Sequence, residues 1–241
     1  MGSFALVDVT THIGGYDWTT DMNSLTFSGE GDELDNTTFG DGGWRSRIGG
    51  LKDVNAEYGG YWQAGDPSVD KEAFSNLGLA NEPVTLSPTG VEGDTAYIWR
   101  GAKFGYEMFG SIGEVTPFSL TMNGSHGIGA ARGAYLKARA NVSATGATGT
   151  AFEIPGGVAA DEALHASFHV FSAGTTVTAV IESDSDNTFS SAVTRLTFGP
   201  TTTVGGQHAR IAGALTDTWY RLRVTAITGT FNVACAIGVG V

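Results

Sequence analysis

Apolar and polar residues alternate with period two over short runs, and nearly every run is closed by Gly, Ser, Thr or Asp. That is the pattern of many half-buried strands joined by turns, and helical periodicity is almost absent. Strands are predicted over 24–30, 54–63, 84–87, 95–101, 105–112 and 116–123 in the first half. In the second half they are predicted over 135–144, 163–172, 176–183, 193–198, 208–214, 219–225 and 231–238. One short helix is predicted over 68–77, with Asp66 or Ser68 as cap and Asp70 and Glu72 at its positive end. The expected class is all-β with one short helix, a β-sandwich or barrel.

The order of these strands repeats. Segments beginning at Val84, Thr95, Tyr106 and Pro117 run parallel to segments beginning at Arg195, Gln207, Tyr220 and Phe231, with Pro88 matching Pro200 and Phe118 matching Phe231. A divergent tandem duplication accounts for this, with a first domain over 1–128 and a second over 129–241 joined at the Gly-rich run 124–133. Any two β domains share some strand-turn rhythm, and that explanation stays open beside it.

Composition narrows the functional classes. The chain has 241 residues, is 41% hydrophobic and carries a net charge of −12. All of the excess lies early: residues 1–125 hold 18 Asp and Glu against 6 Lys and Arg, whereas 126–241 hold 7 of each. Binding nucleic acid by phosphate neutralisation needs a basic surface, and this chain has none in evidence. No apolar run approaches the roughly 18 residues of a membrane helix, so a soluble protein made in the cytoplasm is expected.

Candidate chemistry is thin. Cys235 is alone and alternates with Val233 and Ile237, so it reads as a buried structural thiol. Asp184, Asp186 and Asn187 have the spacing of calcium ligands but lack the rest of that loop, and a hairpin turn explains them better. His165 and His169 fall on one face of a strand and read as a polar surface pair rather than metal ligands. Gly127–Gly133 misses the dinucleotide fingerprint, and the acids Glu33 and Asp35 lie in a solvated Gly-rich loop. No catalytic residue, metal ligand or cofactor site is predicted, and the protein is not expected to be an enzyme.

The stretch from Leu34 to Asp53 carries a different signal. Leu34-Asp35-Asn36-Thr37-Thr38-Phe39-Gly40-Asp41-Gly42-Gly43, then Arg45, Gly50-Leu51-Lys52-Asp53 and Tyr58-Gly59-Gly60-Tyr61, resembles the major tail tube proteins of long, non-contractile (siphophage) phage tails. The segments 164–170, 184–191 and 216–221 resemble the later portion of such proteins. The resemblance implies a tail-tube-type fold and a structural virion subunit, made in the host cytoplasm and located in the virion tail. Its copies would close into rings that stack around a channel for a tape-measure protein and then DNA, which passes without specific binding. Tail terminator and tail tip proteins would meet the tube ends. Given the repeat, a ring of three two-domain subunits with pseudo-sixfold symmetry is expected, with a homohexamer as the alternative.

On this reading Leu34, Asp35, Phe39, Trp44, Arg45, Arg47 and Lys52 form an inter-subunit contact arm. Three apolar anchors and three cations sit among glycines that free the backbone. The competing class is a carbohydrate-binding or adhesive β-sandwich, using Tyr58, Tyr61, Trp62, Trp99, Trp219 and Tyr220 as stacking surfaces.

Overall fold

A computed structural model describes residues 9–78, 82–125 and 127–241. It is nearly all β, as expected. The strands are β1 (Thr10–Ile13), β2 (Tyr16–Asp17), β3 (Met22–Asp35), β4 (Arg47–Tyr61), β5 (Glu82–Ser87), β6 (Thr95–Met108), β7 (Pro117–Gly124) and β8 (Ala131–Val142). There follow β9 (Gly146–Glu153), β10 (Ala163–Ser172), β11 (Thr176–Asp184), β12 (Val193–Thr201), β13 (Gly205–Ala212), β14 (Trp219–Thr228) and β15 (Phe231–Gly240). The one α-helix among the described residues, α1 (Val69–Ser75), is capped by Ser68, whose hydroxyl accepts the Lys71 N–H at 3.3 Å.

The second half is a two-layer sandwich. Strands β12-β11-β14-β9 form one sheet, and β13-β10-β15-β8 form the layer opposite. Between them lie Phe168, Phe198, Tyr220, Leu222, Phe231 and Cys235, all buried in one cluster. Burial pushes the Cys235 thiol far up, as suits a packing residue. Tyr220 donates its hydroxyl to the Asp217 carbonyl at 2.9 Å, which ties a loop to the core.

The first half continues the second layer rather than standing apart. β8 pairs with both β15 and β6, so one sheet of eleven strands crosses the expected domain boundary. β6 meets β5 along one edge, and β8 then β7 along the other; β7 leads to β4 and β3. Trp18, Tyr58, Trp99, Phe118, Leu120 and Met122 pack inside this curled portion against Val69 and Ala73 of α1.

Several sequence expectations are corrected here. The stretches 95–101 and 105–112 are one strand, β6, that ends at Met108: β7 pairs with it from Gly101 to Met108, and the register shift between Lys103 and Gly105 bulges the strand without ending it. β1, β2 and β9 were not anticipated: two are very short, and β9 (GATGTAFE) has almost no apolar alternation. The strand-by-strand repeat also does not extend to pairing. β5, β6 and β7 are consecutive neighbours in one sheet, whereas β12 and β13 belong to different sheets.

The large sheet rolls until β5 faces β10 and β13. A Cβ on Gly206 of β13 would lie 2.4 Å from Cγ of Pro83 on β5. Inside the roll the side chains are small, with Ala96, Ala131, Ala234 and Ala236 around Ile98 and Tyr135. A Cβ on Gly133 would sit 2.3 Å from the Ile237 carbonyl, so only glycine permits that strand approach. Rolling also buries His165 and His169, which are therefore not a surface pair.

His169 belongs to a fully connected polar network. Its Nδ1–H donates to the Gly14 carbonyl at 2.7 Å, so Nε2 accepts from the Thr85 hydroxyl at 2.8 Å, and Thr85 accepts from Ser167 at 2.6 Å. Alongside, Tyr135 bonds His12 Nε2 at 2.8 Å, and Asp17 joins His12 Nδ1 at 3.3 Å to Arg139 at 2.7 Å. Burial works against ionised Asp17, but His12, Thr19 and Arg139 outweigh it and hold the carboxyl low. Such a network satisfies its members only in one register.

The pH dependence follows in sign. Burial, with the His12 charge, lowers His169 to about 3, and burial with neighbouring cations lowers His165 and His208 to about 4. Unfolded histidine takes up its proton near 6.5, so between pH 6.5 and 4 the unfolded chain binds protons that the folded chain cannot. Stability should be fully present above about pH 6.5 and fall as pH falls. Urea unfolding should show a midpoint that drops steadily from pH 7 to pH 5, where carboxylates still contribute little. His165→Gln with His169→Gln should flatten that slope, and a flat wild-type profile over the window would contradict the assignment.

Candidate assembly arm and acidic face

The residues predicted for the arm lie together at the far end of the β3–β4 hairpin. Leu34 and Asp35 close β3, Phe39 lies in a 3-10 turn (Phe39–Asp41), Trp44 and Arg45 follow, and Arg47 and Lys52 belong to β4. From Asn55 to Tyr61 β4 is held by β7 as well as β3, but from Arg47 to Val54 it pairs only with β3. The outer ribbon is thus a bare two-stranded hairpin, a structure of marginal stability by itself.

Its tip is nonetheless ordered by its own side chains. The Asp35 carboxylate accepts the Thr37 N–H at 2.9 Å, and Thr37 accepts from the Ser46 N–H at 2.9 Å across the loop. Asp41 reaches back to the Thr38 N–H at 2.6 Å. Gly42 and Gly43 take φ of +62° and +88°, where a side chain would be strained. The Asp-x-Thr-Thr-x-x-Asp spacing is therefore a folding device, and Asp35 serves the loop, with its carboxyl held low by the Thr37 hydroxyl and N–H.

This knuckle presents apolar groups to solvent. Phe39 is fully exposed, Trp44 is 82% exposed, and Leu34, Ile48 and Leu51 are exposed beside them. Covering large side chains of this kind yields roughly 1.5–3 kcal/mol each. Ile48 and Leu51 were missed in the sequence because glycines 49 and 50 break their alternation. Arg47 pairs with Glu33 at 2.5 Å on the exposed surface, a contact worth little. Arg45 and Lys52 make no salt bridge among the described residues.

The same hairpin carries an acidic face. Across β3, β4 and β7 the inner face reads Leu25, Tyr58 and Leu120, while the outer rows read Thr26, Glu57 and Thr121, then Ser28, Asn55 and Asn123. Asn55 and Asn123 bond each other at 2.7 Å. Next in line Glu30 and Asp53 stand directly opposite, and Glu107 on β6 lies opposite Ser119. A shallow concavity of about 350 Å³ lies over Thr26, Ser28, Glu30, Asp53, Asn55, Glu57 and Asn123. Neither Lys nor Arg lines it.

At the other end of these strands, 109–116 connects β6 to β7. Phe109, Ile112 and Val115 are exposed there; Phe104 is exposed within β6 beside Lys103, which bridges to Leu77 just after α1, and Phe74 is exposed near the helix end. The aromatic set proposed for sugar stacking does not form one surface: Tyr58, Trp99 and Tyr220 are buried, and Trp62 donates to Asp70 at 3.1 Å. The acids of the 184–188 turn are used locally, Asp184 accepting from Ser185 and Ser191 N–H and Asp186 from Thr188 N–H.

No family model matches the chain, and no curated protein matches it in sequence. Solved structures share features of its shape. A chain from the virion of a native gene transfer agent particle is 15% identical with a TM-score of 0.41, over 51% of this chain and 95% of that one. A chain of an extracellular contractile injection system, the PVC sheath-tube complex in its extended state, is 10% identical with a TM-score of 0.44, over 55% and 92%. The Dit protein (gp 19.1) of phage SPP1, described as a hub adsorption component, is 12% identical with a TM-score of 0.35, over 95% and 98%. All lie below 0.5 in TM-score, so none fixes what this chain does.

Opposed like charges in neighbouring strands destabilise. Asp53→Asn should therefore stabilise the isolated chain by roughly 0.2–1 kcal/mol in urea unfolding at low salt, with the gain shrinking in 1 M salt. A loss of stability would mean that the Glu30–Asp53 juxtaposition is not repulsive.

Proposed function

We propose that this chain is a structural subunit of a phage-type virion tail, whose copies associate head to tail through the β3–β4 arm into rings that stack as a tube. The observation that carries this reading is the arm: a self-ordered loop that holds Phe39 and Trp44 in water on a ribbon with no partner strand. A soluble chain gains nothing from such a feature until another surface covers it. The exposed apolar set around Phe74, Phe104 and Phe109, beside Glu114, matches the arm in both apolarity and charge.

Two different patches at opposite ends of one sheet make a heterologous contact, which closes into a ring or propagates as a tube. The acidic outer face of β3, β4 and β7 suits the channel wall, where like charge keeps passing phosphate from adhering. A tape-measure protein and then DNA would occupy that channel, with terminator and tip proteins at the ends. The resemblance to siphophage tail tube proteins supports this assignment on residues 34–61.

The ring that fits best holds six copies. A ring of three requires two equivalent tube-forming units per chain, and residues 1–128 and 129–241 pair their strands differently. In the sixfold reading the first unit builds the wall and the sandwich is attached to it.

Trp44→Ala combined with Arg47→Ala should leave a soluble chain with an unchanged far-ultraviolet circular dichroism spectrum and yet abolish rings and tubes in negative-stain electron microscopy at rising concentration. Normal tubes from the double variant would sink the arm's role. Monomeric wild-type protein that retains a polysaccharide column would favour the adhesive alternative instead.

A further inference from the structure

One end of the rolled sheet gathers two arginines and two histidines that form no salt bridge among the described residues. On β10 His165 stands opposite Arg210 of β13 on one side and Gly238 of β15 on the other, and Gly238 in turn faces Gly133 of β8. Neither glycine brings a side chain to that row, and both are set by close strand approach, a Cβ on Gly238 lying 3.0 Å from the Ala131 carbonyl carbon. His208 lies one row away, its Nε2 3.3 Å from His165 Nδ1. Arg100 of β6 points into the same end, since Ile98, two residues earlier, packs inside the roll. Both arginines bear electrostatically on His208.

The donors there are unused. His165 is 1% exposed, and its Nε2 has no hydrogen-bond partner; Arg100 Nε and Ser125 Oγ are likewise buried and unpaired. Ser125 is held at this end by its N–H, which donates to the Arg100 carbonyl at 2.8 Å. Among the described residues neither Arg100 nor Arg210 forms a salt bridge. Among the described residues the charges that bear on the histidine pair are cationic. In a chain with net charge −12, Arg100 and Arg210 are thus left without an acidic partner among the described residues.

Leaving such donors dry costs the full desolvation of each group, whereas an anion would satisfy several at once. A metal ion is the wrong occupant, because two guanidinium groups flank the imidazoles. We infer that Arg100, His165, His208 and Arg210, with the Ser125 hydroxyl, form a binding site for a small oxyanion of the phosphate or sulfate class. Several oxygens on one centre match several convergent N–H and O–H donors, which a halide cannot do. Arg210 is exposed and provides the entrance. The site is independent of the tail assignment, since it uses neither the arm nor the acidic face.

Proton linkage gives the site a signature. Without an anion, burial and the neighbouring cations keep His165 and His208 neutral at pH 7, at about 4. The facing groups are Arg210 on β13 and Arg100 on β6; β15 and β8 offer only Gly238 and Gly133 in that row, and His169 is a further row along β10. A bound dianion favours the protonated rings, so binding takes up protons and tightens as pH falls.

Isothermal titration of the full chain with sulfate, whose charge is constant over this range, should show one saturable site at constant ionic strength. Affinity should rise from pH 8 to pH 5.5, and inorganic phosphate should compete. Arg100→Gln should weaken sulfate by roughly ten-fold or more, the scale of one charged hydrogen bond. Arg210→Gln, at the exposed edge, serves the same purpose if the buried substitution does not fold. The inference is overturned if sulfate gives no more heat or thermal stabilisation than matched chloride. Equal affinity in wild type and a folded arginine variant overturns it as well.

Discussion

Strand β6 is the element on which the rest of the structure depends. It offers one edge to β5 and divides the other between β8 and β7, so the sandwich and the curled first half share a hydrogen-bonded sheet. That sharing forces the sheet to roll, and a narrow roll accepts only small or hydrogen-bonded side chains. Hence the alanines, the Gly133–Gly238 approach and the Thr85–Ser167–His169 network inside it. At the bulge in β6, within its pairing with β7, Lys103 is buried and its ammonium meets Glu82 at 2.8 Å and the Glu72 carbonyl at 2.6 Å. Such a pair adds little net stability over an apolar replacement, but it fixes α1 to β6 in one register.

The arm is built on the opposite principle. Everything inboard of Val54 is supported on both sides of β4, and everything outboard rests on β3 pairing alone and on turn chemistry within 34–46. Asp35, Thr37, Thr38 and Asp41 supply that chemistry, which frees Phe39 and Trp44 from any structural duty toward their own domain. A rigid knuckle also loses little conformational entropy when it is covered, so more of the apolar gain remains for association.

How much of this was legible in the sequence varied with how local the cause was. Period-two alternation located most of the strands, and Ser68 with Asp70 and Glu72 located the helix, because those signals act between neighbours along the chain. The arm was legible for the same reason: its Asp-Thr-Thr-Phe-Gly-Asp spacing encodes its own turn. The split of 95–112 into two strands failed because Gly101 and Gly105 resemble turn residues, whereas both pair with β7 within one bulged strand. His165 and His169 looked like surface residues because their neighbours Ala166, Ser167 and Phe168 give no hint that a second layer closes over them. Closure depends on β5 meeting β13, a contact between residues more than a hundred positions apart that no local pattern announces. The acidic face was half legible: the excess of acids in the first half was countable, but its concentration on one face emerged only from the β3–β4–β7 register.

Charge segregation ties these features together. In the second half the cations are largely answered within the sandwich, with Arg195 on Asp217, and Arg221 and Arg223 on Glu182, and Arg139 crosses over to Asp17. In the first half Glu30, Asp53, Glu57 and Glu107 stand on one exposed face without cations. Bringing several such faces around one axis sets like charges within a Debye length or so of each other, and that repulsion opposes closure. Attraction has to come from elsewhere on the subunit, and the arm is where exposed apolar surface and unpaired cations occur together. In the proposed ring the face that would repel and the tip that would bind are therefore complementary parts of one hairpin: the strands that carry the acids outward would also carry Phe39 and Trp44 to the next copy.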